Sequence, residues 1–151
     1  MIDLRINRTL PTLIKWRAEV LQNVFGIQPS ARLLVANRQY YRQHVADGSH
    51  VALIASIDGE DCGCGGICLS DELPSPDNPT GRCGFLMNIY VRQQFRNHGV
   101  AHAIVSALLD VAKQQGCGKI FLETTNLGRS VYSSLGFKDM KDMMKYYDTN
   151  D

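Results

Sequence analysis

The sequence predicts a domain of mixed α/β class, with a central, twisted and partly parallel sheet between helices on both faces. The chain has 151 residues, a length that supports one substantial core and is short for two. Segments with the two-residue period of strands alternate with segments of helical period along the chain. In the second half a strand, a helix and a strand follow in that order, which predicts a right-handed parallel crossover. We therefore treat residues 1–151 as a single three-layer domain.

The first half begins with one predicted strand and two predicted helices. Residues 2–7 alternate between apolar and polar side chains, which is typical of a half-buried strand. Apolar residues at helical spacing between Thr9 and Gly26 predict the first helix. Ser30 is the predicted cap of the second helix, which extends to about residue 46.

A hairpin and a central strand are predicted next. The apolar runs at residues 51–57 and 62–69 are separated by a turn sequence, which predicts a β-hairpin. The proline-rich segment at residues 72–81 is predicted to be a surface loop. Residues 83–91 form a long apolar run, which predicts a central strand buried on both faces.

The second half closes the predicted sheet. Residues 99–116 carry a continuous apolar stripe and predict a long helix. A short strand is predicted at residues 119–123 and a short helix at residues 127–135. Two closing strands are predicted at residues 136–138 and 143–147.

The composition excludes several classes of protein. Hydrophobic residues make up 44% and charged residues 21% of the chain, as in soluble globular proteins. The 16 basic and 15 acidic residues leave a net charge of +1, which creates no overall field toward nucleic acid or an anionic membrane. The sequence contains neither an apolar run long enough for a membrane span nor the core of a signal peptide. We expect a cytoplasmic protein without nucleic-acid or membrane partners. The sequence is compatible with a homodimer and does not determine the oligomeric state.

Two groups of residues resemble metal ligands in part. Cys62, Cys64 and Cys68 lie in the segment CGCGGIC, but no second ligand pair follows at zinc-site spacing. His98 and His102 are four residues apart, but no third ligand is apparent. We predict reduced, half-buried strand cysteines and no metal site.

The segment VRQQFRNHGVAHAIV joins the predicted central strand directly to the long helix. The first turn of a helix has unpaired N–H groups and a partial positive charge. Gly99 and the small Ala101 let an anion approach the backbone closely, and Arg96 adds a cation. This arrangement favours a diphosphate site, although a glycine at a helix start also has a plain turn explanation.

Two motifs carry a resemblance to a known family. The segment VRQQFRNHGVA resembles the acetyl-CoA pyrophosphate motif of the GNAT family of N-acetyltransferases, and ETTNLGRSVYSSLGF resembles that family's closing segment. The resemblance covers residues 83–138. It implies acetyl-CoA as cosubstrate, a fold in which two parallel strands splay apart, and no metal requirement.

The resemblance also implies roles for individual residues. The edge of the first splayed strand would pair with the pantetheine arm through Ile89, Tyr90 and Val91. Backbone N–H groups of the next loop would bind the pyrophosphate; these belong to Arg96, Asn97, His98, Gly99, Val100 and Ala101. Tyr132 would lie near the thioester sulfur, and its hydroxyl would hydrogen-bond the departing sulfur during catalysis. A contact to the coenzyme A arm is implied at either Thr125 or Asn126.

The acceptor site and the general base are less defined. Many family members have a glutamate on the central strand as the base, but FLMNIYV has none, so the base is unassigned. Arg17 lies inside the apolar stripe of the first helix, where it reaches either into the acceptor site or to a structural partner. Asp71 and Glu72 are candidates for attracting a cationic amine, or are solvated loop residues.

The resulting hypothesis is an acetyl-CoA-dependent N-acetyltransferase. The amine of a small molecule or peptide would attack the thioester directly in a ternary complex. The alternative is a non-catalytic acyl-CoA-binding regulatory module that lacks the base. The sequence does not identify the acceptor.

Overall fold

A computed structural model describes residues 1–149 of the chain. Its strands and α-helices follow one another as β1 (Ile2–Ile6), α1 (Leu10–Asn23), α2 (Ala31–Ala46), β2 (His50–Ile57), β3 (Glu60–Asp71), β4 (Arg82–Val91), α3 (Val100–Gln114), β5 (Lys119–Leu122) and α4 (Arg129–Ser134). Short 3-10 turns lie at Gln93–Phe95 and Asn126–Gly128. None of the described helices is long and apolar enough to cross a membrane.

The strands form a mixed sheet in the order β1-β2-β3-β4-β5. The first three pairs are antiparallel, and β4 and β5 are parallel, with α3 as the connection between them. The predicted central position of β4 is confirmed, because β4 lies between β3 and β5. The predicted mixed, partly parallel sheet is confirmed as well.

Helices cover both faces of this sheet. On one face, Trp16 and Val20 of α1 pack against Ile54 and Tyr90. On the other face, α3 packs on the sheet through five buried apolar residues. These are Val100, Ile104, Val105, Leu108 and Ala112. The three-layer arrangement predicted from the alternating elements is therefore confirmed.

The glycine-rich segment of β3 lets α3 approach the sheet closely. A Cβ atom at Gly65 would lie 2.5 Å from a methyl group of Ile104, and one at Gly63 would lie 2.8 Å from the Tyr90 carbonyl oxygen. Cys64, between them, faces α1 and packs against Trp16. The segment CGCGGIC is thus part of strand β3, and its glycines allow α3 to pack closely on one face of that strand.

The local helix signals are present in the structure. The Ser30 hydroxyl accepts a hydrogen bond from the Leu33 N–H at 3.1 Å, which caps α2 as predicted. Gly116 follows α3 with a φ of 74°, a conformation that side chains disfavour. The predicted termini of these helices are confirmed to within about two residues.

The two predicted closing strands are wrong. No strand occurs in the described residues after β5, so neither residues 136–138 nor residues 143–147 join the sheet. A strand needs a neighbouring edge, and β5 offers one of only four residues. Met144 and Tyr146 are largely solvent-exposed instead, at 100% and 85%.

Candidate functional site

β4 extends beyond its pairing with β5, and we call the region between the unpaired end of β4 and the segment after β5 the cleft. The two strands pair only where Cys83–Leu86 of β4 lie beside Lys119–Leu122 of β5. Residues 87–91, which we call the open part of β4, continue beyond this pairing without a β5 partner. An extended ligand with amide groups can add to such an edge as a strand would.

A β-bulge at Asn88 marks the start of the cleft. Gly66 lies opposite Met87 and Cys64 lies opposite Tyr90, so the register shifts by one residue between them. Asn88 has a φ of 60°, the left-handed conformation that asparagine tolerates better than most residues. A bulge bends its strand, and this one lies two residues beyond Leu86, the last β4 residue that pairs with β5. The lone asparagine within an apolar run was the sequence signal for it, and sequence reasoning missed it.

The loop between β4 and α3 has the geometry of an anion site. Gly99 is the N-cap residue of α3 with a φ of 81°, and no side chain caps the helix. Asn97 is also left-handed, with a φ of 66°. No acidic residue lies in the first turn, so the N–H groups and the helix dipole keep their positive potential. We call residues 96–101 the Gly99 loop.

The Gly99 loop leaves space at its backbone. A Cβ atom added at Gly99 would meet no protein atom within 4 Å. The guanidinium of Arg96 donates through Nε to the Val91 carbonyl oxygen at 3.2 Å, which holds this cation beside the end of β4. Val100, the first residue of α3, is buried and anchors the loop. The predicted pyrophosphate residues thus lie together at the end of the open part of β4, where Ile89, Tyr90 and Val91 also lie.

The other predicted cofactor residues follow β5. Thr125 and Asn126 are exposed in the turn after this strand. Tyr132 lies on α4, half-buried, with its ring 5.8 Å from that of Phe137 in an edge-to-face contact. Burial raises the pKa of the Tyr132 hydroxyl. Parallel strands have their carboxyl ends at the same edge of the sheet, so these residues lie at the same edge as the Gly99 loop.

Arg17 lies beside the bulge, on the face of the sheet that α1 and α2 cover. Its Nε donates to Asn37 Oδ1 at 3.0 Å, and its Nη1 donates to Asn88 Oδ1 at 2.9 Å. These bonds place the guanidinium at a cavity of about 200 Å³, which we call the Arg17 cavity. Its lining residues are Arg17, Asn37, Tyr40, Tyr41, His50, Met87 and Asn88. The structure thus brings Arg17 next to the open part of β4.

The aromatic wall of this cavity is uncharged near neutral pH. The Tyr40 hydroxyl and His50 Nδ1 are 2.8 Å apart, within hydrogen-bond distance. Burial, followed by the nearby charges of His44 and Arg17, lowers the pKa of His50 to about 4. Burial also raises the pKa of Tyr41 to about 12. Sequence reasoning missed these residues because α2 and β2 come together only in the tertiary structure.

Asp71 and Glu72 are not brought together with the other predicted site residues. Asp71 pairs with Arg82 at the first residue of β4, whereas Val91 ends that strand of 10 residues, which spans about 30 Å. Glu72 accepts a hydrogen bond from Lys119 at 3.0 Å, and this bond is the main cause of its lowered pKa. Both acids therefore lie at the opposite end of the sheet, where they hold the loop after β3.

Among the described residues, neither the lining of the Arg17 cavity nor Glu19 provides a free carboxylate in place of the missing strand glutamate. Neither aspartate nor glutamate occurs among the described residues that line the Arg17 cavity. Glu19 forms a bidentate ion pair with Arg92, whose Nε and Nη2 donate to the two carboxylate oxygens at 2.9 and 3.0 Å. These bonds lower the pKa of the Glu19 carboxyl. Arg92 also stacks on Trp16, with 4.4 Å between the guanidinium and the ring centre. Glu19 is thus held in a structural pair.

Two further features bear on ligand binding. Within residues 1–149, no cluster of three or more histidine, cysteine, aspartate or glutamate side chains has the arrangement of a metal site. A second cavity of about 650 Å³ lies along β5, α4 and residues 136–145. It includes Tyr132 but neither the open part of β4 nor the Gly99 loop, so we do not assign the cofactor to it.

Comparisons with known proteins point to one family. A profile of the acetyltransferase (GNAT) family matches residues 11–137. The chain is 31% identical over 67 residues to N-alpha-acetyltransferase 30 of Saccharomyces cerevisiae, a stretch that covers 42% of this chain and 38% of that protein. It is 30% identical over 67 residues to the probable glucosamine 6-phosphate N-acetyltransferase 2 of Oryza sativa subsp. japonica, covering 44% and 40% of the two. The match thus spans less than half the length of these curated relatives.

A solved structure extends the similarity to almost the whole fold. The crystal structure of a predicted acetyltransferase with acetyl-CoA from Clostridium acetobutylicum superposes with a TM-score of 0.88 and 27% identity. The superposition covers 97% of this chain and 96% of that one. The profile and this superposition include the N-terminal half, where the sequence motifs gave no match.

Proposed function

Because the chain belongs to the acetyltransferase (GNAT) family, we propose that it transfers the acetyl group of acetyl-CoA to a primary amine of a small molecule or peptide. The observation that carries this proposal is the open part of β4, which a short turn connects to the uncapped Gly99 loop. The family's fold accounts for the cleft. The open part of β4 suits the pantetheine arm of acetyl-CoA, and the Gly99 loop suits its pyrophosphate.

The proposal gives each part of acetyl-CoA a binding surface. The pantetheine arm lies along Ile89, Tyr90 and Val91, with its amides paired to the strand's backbone. The pyrophosphate lies against the backbone N–H groups of the Gly99 loop, and Arg96 adds a positive charge. Thr125 or Asn126 contacts the arm from the β5 side. Backbone N–H groups and one guanidinium provide this binding without a metal ion.

The chemistry is direct transfer in a ternary complex. The amine nitrogen, as the free base, attacks the thioester carbonyl carbon, the carbon–sulfur bond breaks, and the coenzyme A thiolate leaves. The backbone N–H of Ile89 polarises the carbonyl oxygen. The Tyr132 hydroxyl donates a hydrogen bond to the departing sulfur. Because no carboxylate lines the Arg17 cavity among the described residues, the amine gives its proton to solvent.

Positioning is expected to supply most of the acceleration. Holding the amine and the thioester in attack geometry contributes about 7 to 11 kcal/mol in well-oriented systems. The cleft and the Arg17 cavity meet at the bulge, since Asn88 lines the cavity and belongs to the open part of β4. In this proposal acetyl-CoA binds in the cleft and the acceptor amine binds in the Arg17 cavity, so that their reacting groups meet beside Asn88.

A second candidate function is acyl-CoA binding without catalysis. The open part of β4 carries no acidic side chain, and Glu19 is held by Arg92. A protein with the cofactor cleft and no base would bind acetyl-CoA and respond to it without turnover.

Two measurements separate these functions. We expect acetyl-CoA to raise the melting temperature, and NAD and ATP to leave it unchanged. Release of the coenzyme A thiol is then followed with a panel of primary amines, and mass spectrometry identifies the acetylated product. Amine-dependent release supports the transferase. Stabilisation by acetyl-CoA without release for any amine supports the binding module, and no stabilisation contradicts both.

A further inference from the structure

The Arg17 cavity contains one charged group in otherwise neutral surroundings. Near neutral pH the imidazole of His50 is uncharged, because burial lowers its pKa to about 4. The remaining described lining residues are two amides, two tyrosines and a methionine. No carboxylate from α1, α2, β2 or β4 lines the cavity among the described residues, so nothing there compensates the positive charge of Arg17.

The partners of Arg17 are neutral as well. Its hydrogen bonds go to the side-chain oxygens of Asn37 and Asn88, and none of the ion pairs among the described residues includes it. Its guanidinium also lies 5.5 Å from the ring centre of Phe25. A half-buried cation without an opposite charge is unusual, since burying charge is unfavourable unless it is paired.

The two amides fix the orientation of the guanidinium. They bind Nε and Nη1, which are two nitrogens of the planar fork. Because an arginine has five N–H donors, this geometry leaves further donors for a ligand. A carboxylate or phosphate accepts two parallel bonds from such a fork. The cavity of about 200 Å³ has room for a small group only.

The cavity also adjoins the position of transfer. The side chain of Asn88 accepts a hydrogen bond from Arg17, and the N–H of Ile89, the next residue, is assigned to the thioester carbonyl. An acceptor whose anionic group rests on Arg17 would have its amine a few bonds away, beside the bulge. An acceptor with a second cation would instead be repelled by Arg17.

We infer that the acceptor is a small primary amine that also carries an anionic group, a carboxylate or a phosphate, and that Arg17 binds this group and so positions the amine. This inference rests on the proposed transferase function and narrows its substrate class. Arg17 is a substrate-binding and positioning residue here, and it takes no part in proton transfer.

The test compares acceptors that differ only in the anionic group. Coenzyme A release is measured with glucosamine 6-phosphate against glucosamine, and with amino acids against their amides, so that the phosphate and carboxylate sources are distinguished. We expect the anionic member of at least one pair to have a kcat/KM higher by about 10-fold or more, mainly through a lower KM. Cationic polyamines are expected to be the poorest acceptors.

Variants of Arg17 show whether this residue causes the preference. Arg17→Gln is expected to lower kcat/KM for the anionic member by about 10- to 100-fold, and to lower it much less for the neutral counterpart, which loses only the support of Asn88. Arg17→Lys keeps the charge without the fork and is expected to recover part of the loss. Arg38→Gln, at an exposed position of α2, is the matched control and is expected to behave as the wild type.

The outcomes separate this inference from the function on which it rests. If neutral or cationic amines are acetylated as well as their anionic counterparts, or if Arg17→Gln slows both members of a pair equally, the inference is wrong and the transferase stands. If no amine releases coenzyme A, both are wrong. Acetyl-CoA affinity and melting temperature, measured for each variant, show that the variants are folded.

Discussion

Tyr132 is the side chain to which the proposed reaction assigns a role at the sulfur. An ordinary tyrosine has a pKa of about 10 and a thiol about 8.5, so proton transfer is uphill by roughly 2 kcal/mol. Burial raises the pKa of Tyr132 further, which makes complete transfer less favourable still. In the proposed reaction the hydroxyl therefore donates a hydrogen bond to the thiolate, and solvent completes the protonation.

Replacing Tyr132 with phenylalanine removes only this donor. The ring contact with Phe137 is kept, so the fold and acetyl-CoA affinity are expected to stay close to those of the wild type. Turnover is expected to fall by about 100-fold, as is usual when a catalytic donor is lost. Wild-type turnover in Tyr132→Phe, measured where the chemical step limits the rate, would show that the hydroxyl has no such role.

His50 links the Arg17 cavity to the pH dependence of stability. Its pKa is lowered from 6.5 to about 4 in the folded chain, mainly by burial. The unfolded chain therefore binds the proton more readily, and stability decreases as the pH falls from about 6.5 to about 4. The shift corresponds to about 3 kcal/mol of unfolding free energy.

Urea denaturation at pH 7, 5.5 and 4 tests this effect. His50→Gln loses the bond to Tyr40 at every pH, but it is expected to lack this acid-dependent decrease. His102→Gln, at an exposed position of α3, serves as the control and should keep it. Parallel pH profiles for the wild type and His50→Gln would contradict the assignment.

The sequence contained a signal for some site residues and not for others. Arg17 stood out because a charge interrupts the apolar stripe of α1, and Gly99 because it opens a helix directly after a strand. His50 gave no signal, since the sequence does not show that β2 packs against Tyr40 and Tyr41 of α2 and near Arg17 of α1. Asp71 and Glu72 were grouped with the acceptor site because the sequence does not show which end of a strand faces the cleft.

In the proposed function, cofactor binding depends on the Gly99 loop and on α3, which follows it. Gly99 and Gly116 lie at the two ends of α3, both with a left-handed φ, 81° and 74°, and both with open space where a Cβ would be. Alanine at either position should destabilise the fold by a similar amount, about 1 to 2 kcal/mol. They differ only in which end of the helix they occupy.

This pair isolates the effect of the loop on acetyl-CoA binding. Gly99→Ala is expected to weaken binding by about 10-fold, because its methyl group projects beside the unpaired N–H groups. Gly116→Ala is expected to bind as the wild type does. Calorimetry of the two variants decides: equal affinities would mean that the Gly99 loop does not bind the cofactor.

Elements with a strong local signal were predicted well, and the two closing strands, which lacked such a signal, were not. The stripe of α3 and the cap of α2 are set by residues close in sequence, and both helices were found with nearly correct bounds. The closing strands at residues 136–138 and 143–147 were predicted from apolar content alone. A strand forms only beside an edge, and β5 is too short to provide a long one.

The bulge at Asn88 lies between the structures that cover the two faces of β4. The Gly99 loop and α3 lie toward one face of β4, whereas α1, α2 and the Arg17 cavity lie on the other. Asn88 belongs to β4 and accepts a hydrogen bond from Arg17, so the two proposed ligand sites meet at this residue. This arrangement allows both substrates to be bound at once, as direct transfer requires.

A crystal structure of the protein with acetyl-CoA tests the central claim most directly. We expect the pantetheine arm to lie between β5 and the open part of β4, the pyrophosphate against residues 96–101, and the acetyl group beside the bulge at Asn88. Acetyl-CoA bound elsewhere, for example in the cavity along β5 and residues 136–145 with the Gly99 loop free of ligand, would contradict the account.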